Sequence, residues 1–187
     1  MRGTAIILTG LTLLAACGDQ ATTREPAGPR PSAAAEARGA SSAENQALAT
    51  LRATIAPLHR FELAGPKGWD NQFPAGCMFD PDSGGMGLHY LNANNMGVLD
   101  PARPQLVIYE PEKNGQMRLV GVEFILPGSP SDTPPVLFEQ PFTYNFTFSV
   151  WALHVWAADN NPSGLYANWN PRVSCQYATT LAAHAHH

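Results

Sequence analysis

The chain has 187 residues, 15 Asp and Glu against 11 Lys and Arg, a formal charge of −4 and three cysteines. That balance leaves no basic footprint for a nucleic acid, so no nucleic-acid partner is expected. About 140 residues follow the low-complexity start, a normal size for one domain with its own core, and no internal repeat divides them.

The N-terminus carries Arg2, an apolar run from Ala5 to Leu14, and then Leu14-Ala15-Ala16-Cys17. A positive charge, a short apolar stretch and small residues before a cysteine make a secretory signal that ends in a lipobox. The stretch is shorter than the ~20 residues of a spanning helix. Residues 1–16 are therefore expected to be removed, which frees the Cys17 amine and thiol for acylation; the competing reading is an ordinary signal peptide with a chance cysteine. The segment resembles those of the bacterial lipoproteins. That resemblance implies a diacylglycerol on the Cys17 thiol, usually an acyl chain on its amine, and a membrane as partner through this anchor. Gly18, where an Asp would favour inner-membrane retention, implies the outer membrane. Several acyl chains hold a protein durably where one would not.

From residue 17 to 42 the chain is mostly Ala, Pro, Gly, Ser, Thr, Arg and Glu. Such a segment buries too little apolar surface to offset its conformational entropy, and it reads as a disordered tether. The globular domain is expected over 43–183. With Cys17 lipidated, Cys77 and Cys175 remain in a compartment that permits disulfides, and an even pair reads as one bridge. Two separate thiols are the other reading. Closure of a loop of about 100 residues implies roughly 4–5 kcal/mol in the chain-entropy picture. Neither cysteine lies in a Cys-x-x-Cys motif, so a redox role has no support.

Within the domain, Ser41-x-x-Glu44 is a capping box, and Leu48, Leu51, Ile55 and Leu58 recur at spacings of three and four, which predicts an amphipathic helix. Pro57 ends or kinks it, and a short helical piece is expected from Phe61 to Ala64 before Gly65-Pro66. The polar stretch up to Cys77 reads as loop. Four runs then read as strands: Met86 to Asn92, Gln105 to Glu110, Met117 to Leu126 and Ser149 to Ala158. Asn114-Gly115 predicts a hairpin between the second and third, hence antiparallel pairing. The expected fold is α+β, an N-terminal amphipathic helix packed on a mostly antiparallel sheet of about four strands.

Strict alternation in the third run puts Val120, Val122, Phe124 and Leu126 on one face and Leu119, Gly121, Glu123 and Ile125 on the other. In the fourth it puts Leu153, Val155 and Ala157 on one face and Ala152, His154 and Trp156 on the other. Both faces are apolar, so the sheet is expected to be covered on both sides. His89, Glu123 and His154 are then single ionisable groups inside apolar strands. Buried imidazoles and carboxylates are costly unless paired or ligated, which draws such groups together. Two His and one carboxylate suit a divalent transition metal such as zinc or iron with open positions for water or substrate. The same trio can act as a general base oriented by a carboxylate, or be a hydrogen-bonded pair that only specifies the core.

Other features carry less. The end His184-Ala185-His186-His187 either binds transition metals weakly, is a solvated tail, or is partly a cloning remnant. Asp80-Pro81-Asp82-Ser83-Gly84-Gly85 lacks the spacing of a calcium loop and reads as a turn. Asn161-Pro162-Ser163-Gly164 and Trp169-Asn170-Pro171 form a shaped connection in which Tyr166 and Trp169 either close a pocket or pack on the sheet. There is no Gly-x-Ser-x-Gly elbow, phosphate-binding glycine loop or Ser-x-x-Lys, so no enzyme class is indicated. The segments Gly85 to Tyr90, Leu119 to Phe124, Leu153 to Trp156, Asn161 to Gly164 and Trp169 to Cys175 resemble a group of uncharacterised secreted bacterial proteins. The resemblance implies a shared domain and no reaction.

Two functions follow as expectations. One is a membrane-anchored domain that binds a small ligand or metal at His89, Glu123 and His154. The alternative is a structural or interaction lipoprotein that binds an envelope protein through an exposed apolar patch around Leu137, Phe138, Phe142 and Phe146.

Overall fold

The computed structural model describes residues 41–179 and 181–183. The expected signal, the lipidation site Cys17, nearly all of the expected tether and the His-rich tail lie outside the described residues.

Ser41 starts helix α1, Ser42–Ile55, by accepting the Glu44 amide N–H on its hydroxyl at 3.0 Å. That is the serine half of the capping box. The Glu44 carboxylate is used elsewhere, accepting the Tyr166 hydroxyl at 2.6 Å. Leu48, Leu51 and Ile55 are buried at the predicted spacing. Pro57 sits at the start of a new 3-10 turn, Ala56–His59, which carries buried Leu58. A proline is tolerated there because a first-turn N–H would have no helical partner. Two further 3-10 turns cover Phe61–Leu63 and Gly65–Lys67.

The strands are β1 (Asn71–Gln72), β2 (Cys77–Asp80), β3 (Gly84–Leu91), β4 (Leu106–Pro111), β5 (Met117–Pro127), β6 (Val136–Leu137), β7 (Gln140–Pro141), β8 (Thr143–Asn145), β9 (Val150–Val155) and β10 (Leu181–Ala183). Eight of them form one sheet in the order β10-β2-β3-β4-β5-β9-β8, with β1 also on β3, and β6 pairs with β7 apart from it. All pairs in the sheet are antiparallel except β10 with β2. The sheet is thus larger than the expected four strands. Its four long members are the predicted ones, and the added strands have two to four residues each, too short to show a period. The stretch before Cys77, read as loop, contains β1.

The β4–β5 hairpin turns at Gly115, whose φ of 78° lies in the left-handed region. Its pairing holds one departure from the alternation the sequence suggests. Ile108 pairs with Gly121 but Tyr109 with Leu119, so Val120 is an extra residue in a β-bulge. Because side chains alternate with a period of two, one inserted residue exchanges the faces on either side of it. Leu119 therefore joins Val122, Phe124, Val107, Tyr109, Leu153 and Val155 in one buried cluster that also contains Leu48, Leu51, Ile55 and Leu58. Val120 instead joins Ile108, Trp156 and Val173 in a second cluster. This corrects the expected grouping of Val120 with Val122 and of Leu119 with Glu123. The buried Tyr109 hydroxyl donates to the Leu58 carbonyl at 2.7 Å, a tie between β4 and the helical segment.

Cys77 and Cys175 form a disulfide with their Cα atoms 5.7 Å apart, joining β2 to the segment after the last long strand. The expected patch at Leu137, Phe138, Phe142 and Phe146 is corrected: Phe138 and Phe142 are each 3% exposed in the first cluster, while Phe146 is 73% exposed. Tyr166 stacks on Phe138 with ring centroids 6.2 Å apart, so it packs on the core. The Asp80 segment is a turn whose carboxylate accepts the Asp82 and Ser83 amides at 3.0 and 2.8 Å.

Candidate metal and ligand site

The three ionisable residues come from three strands and meet on the face opposite the helix. In register, Glu123 of β5 stands directly across from His154 of β9 and from Leu106 of β4. His89 of β3 pairs with Ile108 of β4, one diagonal step further along. Glu123 and His154 are thus direct cross-strand neighbours, about 5 Å apart between Cβ atoms, whereas His89 lies two strands from Glu123, across β4, and the two long side chains close that span. The Glu123 parity depends on the bulge at Val120, since without it Glu123 would share a face with Leu119.

The carboxylate divides itself between the imidazoles. Oε2 lies 3.5 Å from His89 Nε2, and Oε1 lies 3.7 Å from His154 Nε2. The two imidazole rings are 5.9 Å apart and nearly perpendicular, at 84°. One ligand atom from each of the three residues lies within 4.8 Å of the other two. All three are buried, at 1%, 8% and 4% exposure for His89, Glu123 and His154. Burial pushes the Glu123 carboxyl from its ordinary 4.5 up to about 8. A cation held beside it would pull it back down.

Above the trio is a cavity of about 240 Å³. Its walls are Met78, Met86, Leu91, Leu106, Ile125 and Val150, with Phe73, Pro74, Met96, Asn145 and Phe148 towards its outer end. Met86 reaches it through a second bulge, because Met78 pairs with Gly87 and Phe79 with Gly85, leaving Met86 unopposed in β3. Gly87 makes that backbone accessible: its φ is 105°, and a Cβ there would stand 2.6 Å from the Tyr109 carbonyl oxygen. Bulges commonly re-aim a side chain beside a site.

Buried amides hold the outer wall. Gln105 donates to the carbonyls of Asn95 and Val98, both at 2.7 Å, and accepts the Ile125 amide at 3.1 Å. The connection carrying Met96 is thereby tied to β5 next to Glu123. The Phe73 amide donates to the His89 carbonyl at 3.0 Å, which seats its ring over the site. The Phe73 and Phe148 rings lie 5.7 Å apart.

The polar centre is thus legible in the sequence, and the cavity is not. The methionines that line it gave no periodic signal, although the glycines flanking Met86 are the residues a bulge calls for. Tyr166 and Trp169, the other candidates for a pocket, do not line it. No protein-family model, curated protein or solved structure matches the chain.

A carboxylate between two imidazoles has two chemical uses. It can share protons with them, or all three can ligate one metal. Ligands about 2.0–2.1 Å from a tetrahedral zinc stand about 3.3 Å from one another. The two carboxylate–imidazole separations, 3.5 and 3.7 Å, exceed that by only a few tenths of an ångström, and the imidazole–imidazole pair lies within 4.8 Å.

Proposed function

We propose that this chain is a lipid-anchored protein of the cell envelope whose domain binds a divalent transition metal, zinc or iron(II), through His89, Glu123 and His154. The observation that carries the metal assignment is that three ligand atoms from three strands lie within 4.8 Å of one another in a buried site. Two imidazoles and a carboxylate are a donor set that both ions accept, with open positions left for another ligand. Anchorage rests on the Leu14-Ala15-Ala16-Cys17 lipobox. The Cys77–Cys175 disulfide supports residence outside the cytoplasm.

The test uses the full chain with His184, His186 and His187 replaced by alanine, so that the tail contributes no metal. Elemental analysis and titration with zinc should give one ion per chain. Loss of a direct ligand in His154→Ala should weaken zinc by at least about 100-fold, beyond the 10–100-fold typical of a supporting residue. Absence of zinc and iron, with no saturable uptake of either, would sink the metal assignment. Anchorage is tested separately: Cys17→Ala should move the protein out of the membrane fraction, and retention there would refute the lipobox reading.

A further inference from the structure

We infer that the cavity over the His89–Glu123–His154 centre takes a small monocarboxylate with an apolar body, a medium-chain fatty acid in size, whose carboxylate completes the coordination of the metal. This rests on the metal reading above and goes beyond it by naming the second ligand.

Three observations define the class. The first is composition. Among the described residues, Asn145 is the one other polar side chain on the cavity wall besides the trio, and its Oδ1 already accepts the Thr147 and Phe148 amides at 3.0 and 3.2 Å. Among the described residues, polar side chains on the wall thus gather at the trio, with the Asn145 amide alone at the outer end. Met78, Met86, Leu91, Leu106, Ile125 and Val150 face the rest of a bound molecule, and thioether side chains adapt to an irregular apolar body.

The second is size. A dry cavity of about 150 Å³ holds benzene; scaled by volume, 240 Å³ holds about ten non-hydrogen atoms, the number in octanoate. The third is charge. A divalent ion bound by one carboxylate and two neutral imidazoles keeps one positive charge, and a charge in an apolar enclosure is costly until it is paired. A single anionic oxygen donor in an open coordination position neutralises it. Phe73 and Met96, 42% and 37% exposed, mark where the cavity reaches solvent and where such a molecule would enter.

The experiment is calorimetric titration of straight-chain carboxylates, from butanoate to dodecanoate, into the zinc-loaded full chain. The chain carries Cys17→Ser, so that no acyl group of its own competes. Octanoate should bind saturably, one per chain, with affinity rising about fourfold per methylene up to that length and levelling off in longer chains, whose ends leave the filled cavity. Met96→Trp at the mouth and Ile125→Phe on the wall, zinc-loaded to the same occupancy, should each lower octanoate affinity at least tenfold; two positions guard against a single variant that misfolds. The proposal is overturned if zinc binds but octanoate does not saturate, if 1-octanol binds as tightly as octanoate, or if affinity climbs unbroken to dodecanoate. A chain that takes no zinc fails the metal reading itself, and the carboxylate proposal falls with it.

Discussion

The two faces of the sheet are built from alternate residues of the same strands, yet one carries a continuous apolar cluster and the other a cavity beside three buried ionisable groups. On one, Val107, Tyr109, Leu119, Val122, Phe124, Leu153 and Val155 share a continuous apolar cluster with the helical leucines and Ile55. The polar atom of Tyr109 is taken up by the Leu58 carbonyl. On the other, His89, Glu123 and His154 are buried beside a cavity. A fold gains nothing in stability from a void and a buried carboxylate. The first face holds the domain together, and the second carries the site proposed for metal and ligand. Adjacent residues in β5 and β9 therefore fall under different constraints, Phe124 beside Glu123 and Leu153 beside His154.

The largest effect that can break this contrast is expected on the apolar face. Phe124→Ala should cost about 3–5 kcal/mol in urea unfolding, because a buried ring leaves a cavity behind. Metal affinity of the folded fraction should stay the same. A stability loss much smaller than that, or a loss of zinc of similar size, would show that the faces are not separate in function.

Its neighbour should behave the other way. The Glu123 carboxyl is raised from 4.5 to about 8 in the folded state, so the fold holds a proton that the unfolded chain releases. Between those two values the folded state binds more protons, and stability falls as pH rises. With metal stripped by a chelator, the Glu123 contribution to stability should be full below about pH 4.5 and be lost through about pH 8. Glu123→Gln should remove that part of the decline. Zinc should reverse the slope, since the ligands must be deprotonated to bind it. Unfolding curves at pH 5 and 8.5, with and without zinc, check both signs.

A smaller effect should arise where backbone serves the site. Gly87→Ala meets both a left-handed φ and the Tyr109 carbonyl. It should cost about 1–3 kcal/mol of strain and weaken zinc as well, because the bulge at Met86 and the position of His89 share that backbone. Unchanged zinc affinity would separate the bulge from the site. The smallest effect belongs to the helix start: Ser41→Ala should cost about 1 kcal/mol through loss of its cap and leave zinc titrations unaltered.

Much of this was legible in the chain. Local chemistry marks α1 by its cap and spacing, the β4–β5 hairpin by Asn114-Gly115, the bridge by the two cysteines within the domain, and the polar trio by isolation among apolar neighbours. Each signal is carried by residues close together or by a count, so no tertiary information is needed to read it. Short strands such as β1 and β8 have no period to read. Phe138 and Phe142 looked like surface because nothing local distinguishes an apolar loop residue that folds inward from one that does not.

By itself the sequence determined an α+β domain, its long strands, its disulfide partners and the three groups that could not be buried alone. Only the tertiary structure decided that those groups meet, and over what. Residues 89, 123 and 154 are brought together by strand order and register, which are set by non-local pairing. Two single-residue bulges, at Val120 and Met86, choose which side chains face the centre. A cavity is the space that packing leaves unfilled, so no stretch of the chain encodes it alone.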